Sequence, residues 1–590
     1  MEQRAKVDPG PADWKDDLAP ITGADWNYDR AAHLLSHAGF SGTPVEIQQL
    51  TDLGLERAVR SLVHYESIPN PPKPKMQPFV ESGLWDPSLN GFPESRPEAT
   101  DRALKSGVSM GIDTKPDGNR PVQPVSDRFF YWLRATMLET RRLGYWWANR
   151  MVQTRHPLEQ KMALLWHGHF ATHENKVRDY RKMMQQIDLF ERGATGNLRD
   201  LTIKVAENPA MLYFLDAQYN VKGAPNENFA REVMELFTMG VGNYSEKDVR
   251  ECARAFTGWY FDNLTFKVDP AKHDAGEKTF LGRTGNFDGV DVLKIVFEQP
   301  VTAEYLAAKI YRFLVRDELS PDLRKKLGAV LRTNNFEVKP LLMVILSSKD
   351  FYSQASYGGH IKGPVEHLIT MMRHLGVDEV PGVPDFNQST IAMGQHLLNP
   401  PSVAGWAGGK AWITPGMLIE RGNVAREVLI PDMTGFRDWN FGAGSDGVLG
   451  SRLRDGYDIG AATAVGDPSR MSTFDMVNLE RDEQFNTRIS GYIGWQQAAR
   501  KLIPTPRNAA QFDLTQMVLQ SEAKTAADAV DYLLWRLLRV PTAKATRDAL
   551  VEFLTRELGT DSLVRAKTYM EDALRMTVHL IMSTPEYQLA

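Results

Sequence analysis

Three histidines lie close together in the stretch LLWHGHFATHENK, residues 164–176. The chain has 13 histidines among 590 residues, so His167, His169 and His173 form a local concentration. If the stretch is one helix, His169 and His173 are four residues apart and share its apolar face. Buried imidazoles need hydrogen-bond partners or a metal ion. We therefore predict that His169 and His173 face inward, with His167 beside them, and that they either bind a metal ion in the core or form hydrogen bonds with carboxylates of a neighbouring helix.

The segment NENFAREVMELFTMGVG, residues 226–242, is predicted to be the helix that completes this site. Its charged residues recur at helical spacing, and one interpretation is a solvated face held by Glu–Arg pairs, each contributing about 0.2–0.5 kcal/mol. In the functional interpretation, Glu227 and Glu232 are metal ligands. Glu235 is then a catalytic carboxylate, and Arg231 lines a ligand pocket. Imidazole and carboxylate ligands together suit a divalent metal such as zinc, iron or manganese, and the sequence does not distinguish among them.

A third group of candidate residues belongs to the segment DPAKHDAGEK, which separates two stretches of alternating apolar and polar residues. The alternation predicts a small β-hairpin at about residues 259–290, with this segment at its tip. His273, Asp274 and Lys278 are therefore predicted to reach over the cleft as acid–base or ligand residues. Solvated loop charges are the alternative interpretation.

The segment NPPSVAGWAGGKAWIT, residues 399–414, combines two prolines, three glycines and two tryptophans. Glycine permits close approach of the backbone, and tryptophan offers a flat apolar surface. Trp406 and Trp412 are predicted either to form a wall of a ligand pocket or to pack beneath the helices.

The elements that position these residues are predicted to be mainly helical. Helical spacing runs through most of the chain, which indicates a multi-helix globular fold with one small inserted hairpin and long irregular loops. Four regions are expected: an N-terminal tail (1–25), a main helical domain (26–426) with a Pro-rich wrap (67–126), a Gly/Asp-rich loop (427–475) and a C-terminal helical region (476–590). The last region has the same predicted order of helices as residues 312–355.

The composition narrows the classes of function. With 69 Lys and Arg against 74 Asp and Glu, the chain has no basic field of the kind that binds nucleic acid, and no nucleic-acid partner is expected. No apolar run is long enough to predict a transmembrane segment. The N-terminus lacks a signal peptide, so the chain as written is expected in the cytoplasm. Phosphate-binding loops, the serine-hydrolase elbow and dinucleotide-binding motifs are absent from the sequence.

Several segments resemble the bacterial family catalogued as domain of unknown function 1800. They are AAHLLSHAGF, MALLWHGHFATHENKV, NENFAREVMELFTMGVGNYSEKDVRECARAFTGW, KHDAGEKTFLG and PPSVAGWAGGKAWI, within residues 26–426. The resemblance implies no established activity. Members often accompany a second family, domain of unknown function 1501, which resembles sulfatases and is commonly exported. A sulfatase-like partner, and a periplasmic location reached through that partner or through a missing leader, are therefore expectations from the resemblance.

Two hypotheses of function stay open at the level of the sequence. One is a metal-dependent enzyme whose His/Glu site lies between two core helices. The other is a non-catalytic helical scaffold or partner protein for an exported sulfatase-like enzyme.

Overall fold

The structure, a computed structural model, describes residues 9–70, 83–85, 89, 108–109, 112–113, 123–431, 501 and 508–590. The α-helices of the N-terminal and central parts are α1 (Tyr28–His37), α2 (Pro44–Leu53), α3 (Leu55–Val63), α4 (Gln123–Gln153), α5 (Pro157–His169), α6 (Glu174–Val177), α7 (Tyr180–Arg192), α8 (Leu198–Ala206), α9 (Pro209–Phe214), α10 (Glu227–Glu232), α11 (Glu246–Ala255), α12 (Gly289–Glu298), α13 (Pro300–Leu314), α14 (Pro321–Thr333), α15 (Val338–Ser347), α16 (Pro364–Leu375), α17 (Phe386–Ala392) and α18 (Pro415–Leu429). The C-terminal α-helices are α19 (Leu514–Gln520), α20 (Ala526–Leu537), α21 (Lys544–Leu558), α22 (Leu563–Ala566) and α23 (Glu571–Met582).

The strands form short antiparallel pairs. They are β1 (Val108–Ser109) with β2 (Ile112–Asp113), β3 (Trp259–Asp262) with β4 (Thr265–Val268), and β5 (Lys278–Phe280) with β6 (Arg283–Gly285). Helices far outnumber strands among the described residues, which confirms the prediction of a mainly α fold.

Local sequence explains where many helices begin. Helix α2 starts at Pro44, whose fixed backbone angle suits the first turn, and Thr43 and Glu46 form a reciprocal capping box in front of it. The same device, with Ser245 and Asp248, opens α11. These side chains satisfy backbone N–H groups that have no partner within the helix.

The prediction of one continuous helix through the histidine-rich stretch is wrong. Helix α5 ends at His169, Phe170 leaves the helical conformation, and a new short helix, α6, begins at Glu174. His169 and His173 therefore do not share a helical face. The periodicity of the apolar residues continues across the break because both sides of it are buried, and periodicity alone does not show a change of direction.

The predicted hairpin at 259–290 is two hairpins. Strand β3 pairs with β4 and β5 pairs with β6, with Trp259 opposite Val268 and Lys278 opposite Gly285. The segment that carries His273 and Asp274 is consequently the connection between the hairpins and not the tip of one. A small β insertion among helices is confirmed.

The buried apolar side chains form one contiguous cluster that extends from Ile21 to Tyr587. The division of the chain into four regions stays a prediction. Most of the Pro-rich wrap (67–126), residues 432–475 of the Gly/Asp-rich loop and residues 476–500 lie outside the described residues. Among the helices that are described, none is both long and apolar enough to cross a membrane.

Candidate functional site

His167 lies on α5 with its side chain fully buried. Its Nε2 accepts a hydrogen bond from the backbone N–H of Leu398 at 3.1 Å, so the proton of the neutral ring is on Nδ1. Burial lowers the pKa of His167 to about 3, which keeps the ring neutral. The lone pair that a metal would use is therefore already occupied by a backbone donor, and His167 positions the loop that contains Leu398.

His169, the last residue of α5, faces the helix that the sequence assigned as its partner. That helix is α10 with its continuation as a π-helix, Val233–Thr238. The Nε2 of His169 donates to the backbone carbonyl of Phe237 at 3.0 Å. Burial first, and then the charge of nearby Lys309, lower the pKa of His169 to about 3. The partner of His169 on this helix is thus a carbonyl group, and its Nδ1 makes no hydrogen bond within the described residues.

His173 has a local structural role as the N-cap of α6. Its Nδ1 accepts a hydrogen bond from the N–H of Asn175 at 3.1 Å, a bond that a helix usually obtains from Ser, Asp or Asn. The ring is half-buried and lies parallel to the ring of Phe214, with centroids 6.5 Å apart. A role as a metal ligand stays a prediction for all three histidines.

The charged residues of α10 are engaged mostly with each other and with α11. Arg231 donates to Glu246 at 2.9 Å and to Glu227 at 3.2 Å, an arrangement that matches the solvated Glu–Arg interpretation. Glu235 accepts a hydrogen bond from the hydroxyl of Tyr244 at 2.6 Å. Burial and the neighbouring Glu235 raise the pKa of Glu232.

The connection between the two hairpins is fastened to α11. Asp274 pairs with Arg254, with 2.8 Å between Oδ2 and Nε, and this contact lowers the pKa of Asp274 to about 2. Lys278 donates to the backbone carbonyls of Asp274 and Gly276, and the Nδ1 of His273 lies 2.9 Å from the carbonyl of Thr257. These contacts hold the connection in shape, and the acid–base role of its residues stays a prediction.

The glycine-rich loop at 399–414 packs against the end of α5. A Cβ atom on Gly405 would lie 2.1 Å from the carbonyl oxygen of Gly168, so only glycine fits there. The ring of Trp406 lies edge-on to His167, with centroids 5.4 Å apart. Trp412 is buried elsewhere, beside Gly363 and Gly394. The structure therefore brings Trp406, but not Trp412, to the histidines.

Backbone strain marks the junction of this loop with α5 and α6. Leu398 has a φ of 64°, a left-handed conformation that costs a residue with a large side chain about 1–3 kcal/mol. Two contacts hold it there, because its N–H donates to His167 and its carbonyl accepts from the N–H of Glu174 at 2.9 Å. Arg178, at the other end of α6, also has a positive φ, of 51°. Strain of this kind often accompanies functional sites.

Glu174 is a buried acidic residue that the sequence analysis did not single out. Its side chain is only 3% exposed, and burial raises the pKa of its carboxyl to about 7. One carboxyl oxygen, Oε1, is buried and has no hydrogen-bond partner among the described residues. The side chain of Thr140 contributes a hydrogen bond, and the charges of Arg178 and Arg141 offset part of the burial effect. The sequence does contain an indication of this residue, because the glutamate directly follows the last of the three histidines in the motif HEN.

The charge of Arg141 acts on both Glu174 and His396. Burial, followed by the charges of Arg141 and His173, lowers the pKa of His396 to about 4. The guanidinium of Arg141 makes no hydrogen bond or ion pair within the described residues. Glu174 thus combines a buried carboxyl of raised pKa with a nearby cation, Arg141, that has no hydrogen-bond or ion-pair partner among the described residues.

A metal site would draw on the same donors. Two imidazoles, from His173 and His396, and the carboxylate of Glu174 are a donor set that suits zinc or iron. As the side chains stand in the described residues, no group of three or more His, Cys, Asp or Glu is arranged to hold a metal ion.

A family model described as "Protein of unknown function (DUF1800)" matches residues 33–589. Neither the curated proteins nor the solved structures contain a significant match to the chain.

Proposed function

The chain belongs to the DUF1800 family, which has no assigned function, and we propose that it is an enzyme with Glu174 as its general acid–base residue. The observation that carries this assignment is the buried Glu174 carboxyl with a pKa of about 7 and an oxygen that has no partner. A general acid–base group works best when its pKa is near the operating pH, because both protonation states are then populated. An ordinary surface glutamate is ionised at that pH and has little tendency to accept a proton.

The surroundings of Glu174 suit a reacting group. The two bonds that hold Leu398, to His167 and to the backbone of Glu174, fix the loop against α6. Fixed positions reduce the reorganisation that a reaction requires. Arg141, which has no partner among the described residues, supplies a positive charge that would stabilise negative charge developing on a substrate.

The metal-dependent form of this function uses the same residues. If zinc, iron or manganese is bound, the candidate ligands are His173, Glu174 and His396, and the metal would supply a Lewis acid. Elemental analysis of the purified protein, compared with a Glu174→Gln variant, tests this form. A stoichiometric metal that is lost in the variant would support it, and metal retained in the variant would assign the ion to another position.

A screen for activity tests the catalytic role directly. The wild-type protein is offered a panel of chromogenic esters, phosphoesters and glycosides, and any active substrate is then tested with Glu174→Gln. We expect a loss of about 10²–10⁴-fold, the usual contribution of a general acid–base group. Glu56→Gln, on an exposed side chain of α3, is the matched control and should leave the rate unchanged. Equal rates for Glu174→Gln and wild type would contradict the catalytic role.

A second candidate function is supported by a separate surface. Helices α18 and α23 run antiparallel, with the ring Nε2 of His579 3.1 Å from the carbonyl of Gly422 and Arg575 donating to the carbonyl of Leu429. The helices carry exposed apolar side chains, namely Leu418, Ile419, Met576 and Leu580. Exposed apolar patches often mark protein interfaces. This patch would suit a scaffold role towards a sulfatase-like protein of the family of domain of unknown function 1501.

Co-expression with such a protein tests the scaffold role. A complex that survives gel filtration with wild type and dissociates with Ile419→Asp would support it. Val45→Asp, at another exposed apolar position, is the control and should leave the complex intact. The two chains eluting separately in every case would count against a partner of this class.

A further inference from the structure

Lys309, on α13, is a half-buried cation without an acidic partner. Its ammonium group makes no hydrogen bond or ion pair with any other described residue, and the charge that acts on its pKa is that of another cation, Arg312. The ammonium lies over the ring face of Tyr305, 5.4 Å from the centroid. Burial and Arg312 together lower the pKa of Lys309. A cation in these surroundings is stabilised by an anion more strongly than an exposed lysine is.

His169 lies beside this lysine and offers a hydrogen-bond acceptor. Its ring centroid is 6.4 Å from that of Tyr305, and the charge of Lys309 is one of the causes of its lowered pKa. Because Nε2 donates its proton to the carbonyl of Phe237, the lone pair of the neutral ring is on Nδ1. A ligand at this position must therefore offer negative charge to Lys309 and a hydrogen-bond donor to His169.

The framework around the two residues is fixed by the π-helix. The hydroxyl of Tyr305 donates to the carbonyl of Leu236 at 2.8 Å, one residue before the carbonyl that orients His169. Gly240, just after the π-helix, approaches the Tyr305 ring so closely that an added Cβ atom would be 3.1 Å from it. The π-helix thus orients both Tyr305 and His169, and π-helical turns are frequent at functional sites.

We propose that Lys309 and His169 bind a small oxyanion that also carries a hydroxyl group, of which hydrogen phosphate is the simplest. An anionic oxygen would pair with the ammonium of Lys309, and Arg312 would add to the positive field. The P–OH group would donate to the Nδ1 of His169. Sulfate, which has no hydroxyl at neutral pH, satisfies the lysine but not the histidine, so phosphate is preferred. A catalytic role for Glu174 is not required for this binding.

Calorimetric titration of the full-length protein with inorganic phosphate and with sulfate, at pH 7 and low ionic strength, tests the site. We expect one phosphate per chain and weaker binding of sulfate. Lys309→Met, which keeps the apolar stem, should weaken phosphate binding by about tenfold or more, the usual effect of losing a charge-assisted hydrogen bond. Lys294→Met is the matched control, because Lys294 is exposed on α12 and pairs with Asp291, and it should leave the affinity unchanged.

A second measurement distinguishes the contact with His169 from the contact with Lys309. The Nδ1 resonance of ¹⁵N-labelled His169 should shift on addition of phosphate and not on addition of sulfate, and His169→Gln should reduce the preference for phosphate. Thermal denaturation of each variant confirms that it is folded. Unchanged phosphate affinity in folded Lys309→Met, or no binding of phosphate by wild type at millimolar concentration, would overturn the assignment. Equal affinity for sulfate and phosphate would overturn the contact with His169.

Discussion

Glu174 shows how packing changes the chemistry of a single side chain. In an unfolded chain its carboxyl has an ordinary pKa of 4.5, whereas burial raises the value in the folded protein to about 7. Arg178 and Arg141 oppose this shift, and burial outweighs them because removing a charge from water costs more than two partly solvated cations return. At neutral pH both protonation states of the carboxyl are therefore populated.

The raised pKa of Glu174 makes stability depend on pH. The folded state holds the proton more tightly than the unfolded state, so the contribution of Glu174 to stability is largest below pH 4.5 and falls as the pH rises towards about 7. The shift corresponds to about 3 kcal/mol. Glu174→Gln, which has no charge to bury, should be more stable than wild type at pH 8 by up to that amount, with the difference disappearing near pH 4.

Urea denaturation at pH 4, 6 and 8 measures this difference. Glu56→Gln, on a side chain that is largely exposed, serves as the control and should show no such trend. A pH-independent difference between Glu174→Gln and wild type would show that the carboxyl of Glu174 titrates at its ordinary pKa.

At the scale of elements, the end of α5 and the glycine-rich loop at 399–414 pack against each other and hold each other in position. The helix stops at His169, and the loop fills the space beyond it, with Gly405 against Gly168 and Trp406 against His167. The strained backbone of Leu398 is held between His167 and Glu174. A substitution in the loop is therefore expected to shift Glu174, because the backbone of Glu174 is hydrogen-bonded to the backbone of Leu398.

Gly405→Ala tests this contact between helix and loop. The added methyl group meets the carbonyl of Gly168 at 2.1 Å, and the φ of 77° is unfavourable for alanine. Together these effects should lower the free energy of unfolding by at least about 2 kcal/mol. Gly408→Ala is a matched control because it has a similar φ, of 71°, and no atom within 4 Å of the added methyl group.

The comparison separates steric contact from backbone strain. Chemical denaturation of both variants should show a clearly larger loss for Gly405→Ala than for Gly408→Ala. Equal losses would mean that strain alone accounts for the effect and that the loop does not press on α5.

At the scale of the whole molecule, the C-terminus closes the core. The N–H of Lys362 donates to the carbonyl of Gln588, and the N–H of Ala590 donates to the carbonyl of His360. Arg421, on α18, is fully buried and donates to the side chain of Gln588 at 3.1 Å and to the carbonyl of Lys362 at 2.7 Å. The last residues of the chain thus complete the hydrogen bonding of a buried guanidinium.

Gln588→Ala should therefore destabilise the protein. Removing the amide takes away one of the two bonds to Arg421 and leaves a buried charge under-satisfied, at a cost of about 1.5–3 kcal/mol. Glu586→Ala, two residues earlier and without a hydrogen bond from its side chain in the described structure, is the control. Calorimetric melting temperatures compare the two variants, and a similar effect of both would contradict the role given to Gln588.

The sequence alone determined the helical character of the chain and many of its helix starts. Capping residues such as Thr43 and Ser245 act within one helical turn, so the local sequence is enough to predict the start of the helix. The glycines of the loop at 399–414 likewise predicted a close approach of the backbone, which Gly405 makes against Gly168 and Gly408 does not make. The sequence also placed His169 towards the helix at 226–242, although it expected a carboxylate there and the structure has a carbonyl of Phe237.

The burial of Glu174, and with it the raised pKa of this carboxyl, depended on the tertiary structure. The end of α5 at His169 depends on a loop more than 200 residues away, because Leu398 bonds to His167 and to the backbone of Glu174. The pKa of Glu174 depends on how many distant side chains exclude water from it, and no local pattern records that number. Side chains at Lys309 and His169 are likewise 140 residues apart in the chain. Local interactions fix where helices begin, whereas burial and electrostatics arise from contacts between segments that are distant in sequence.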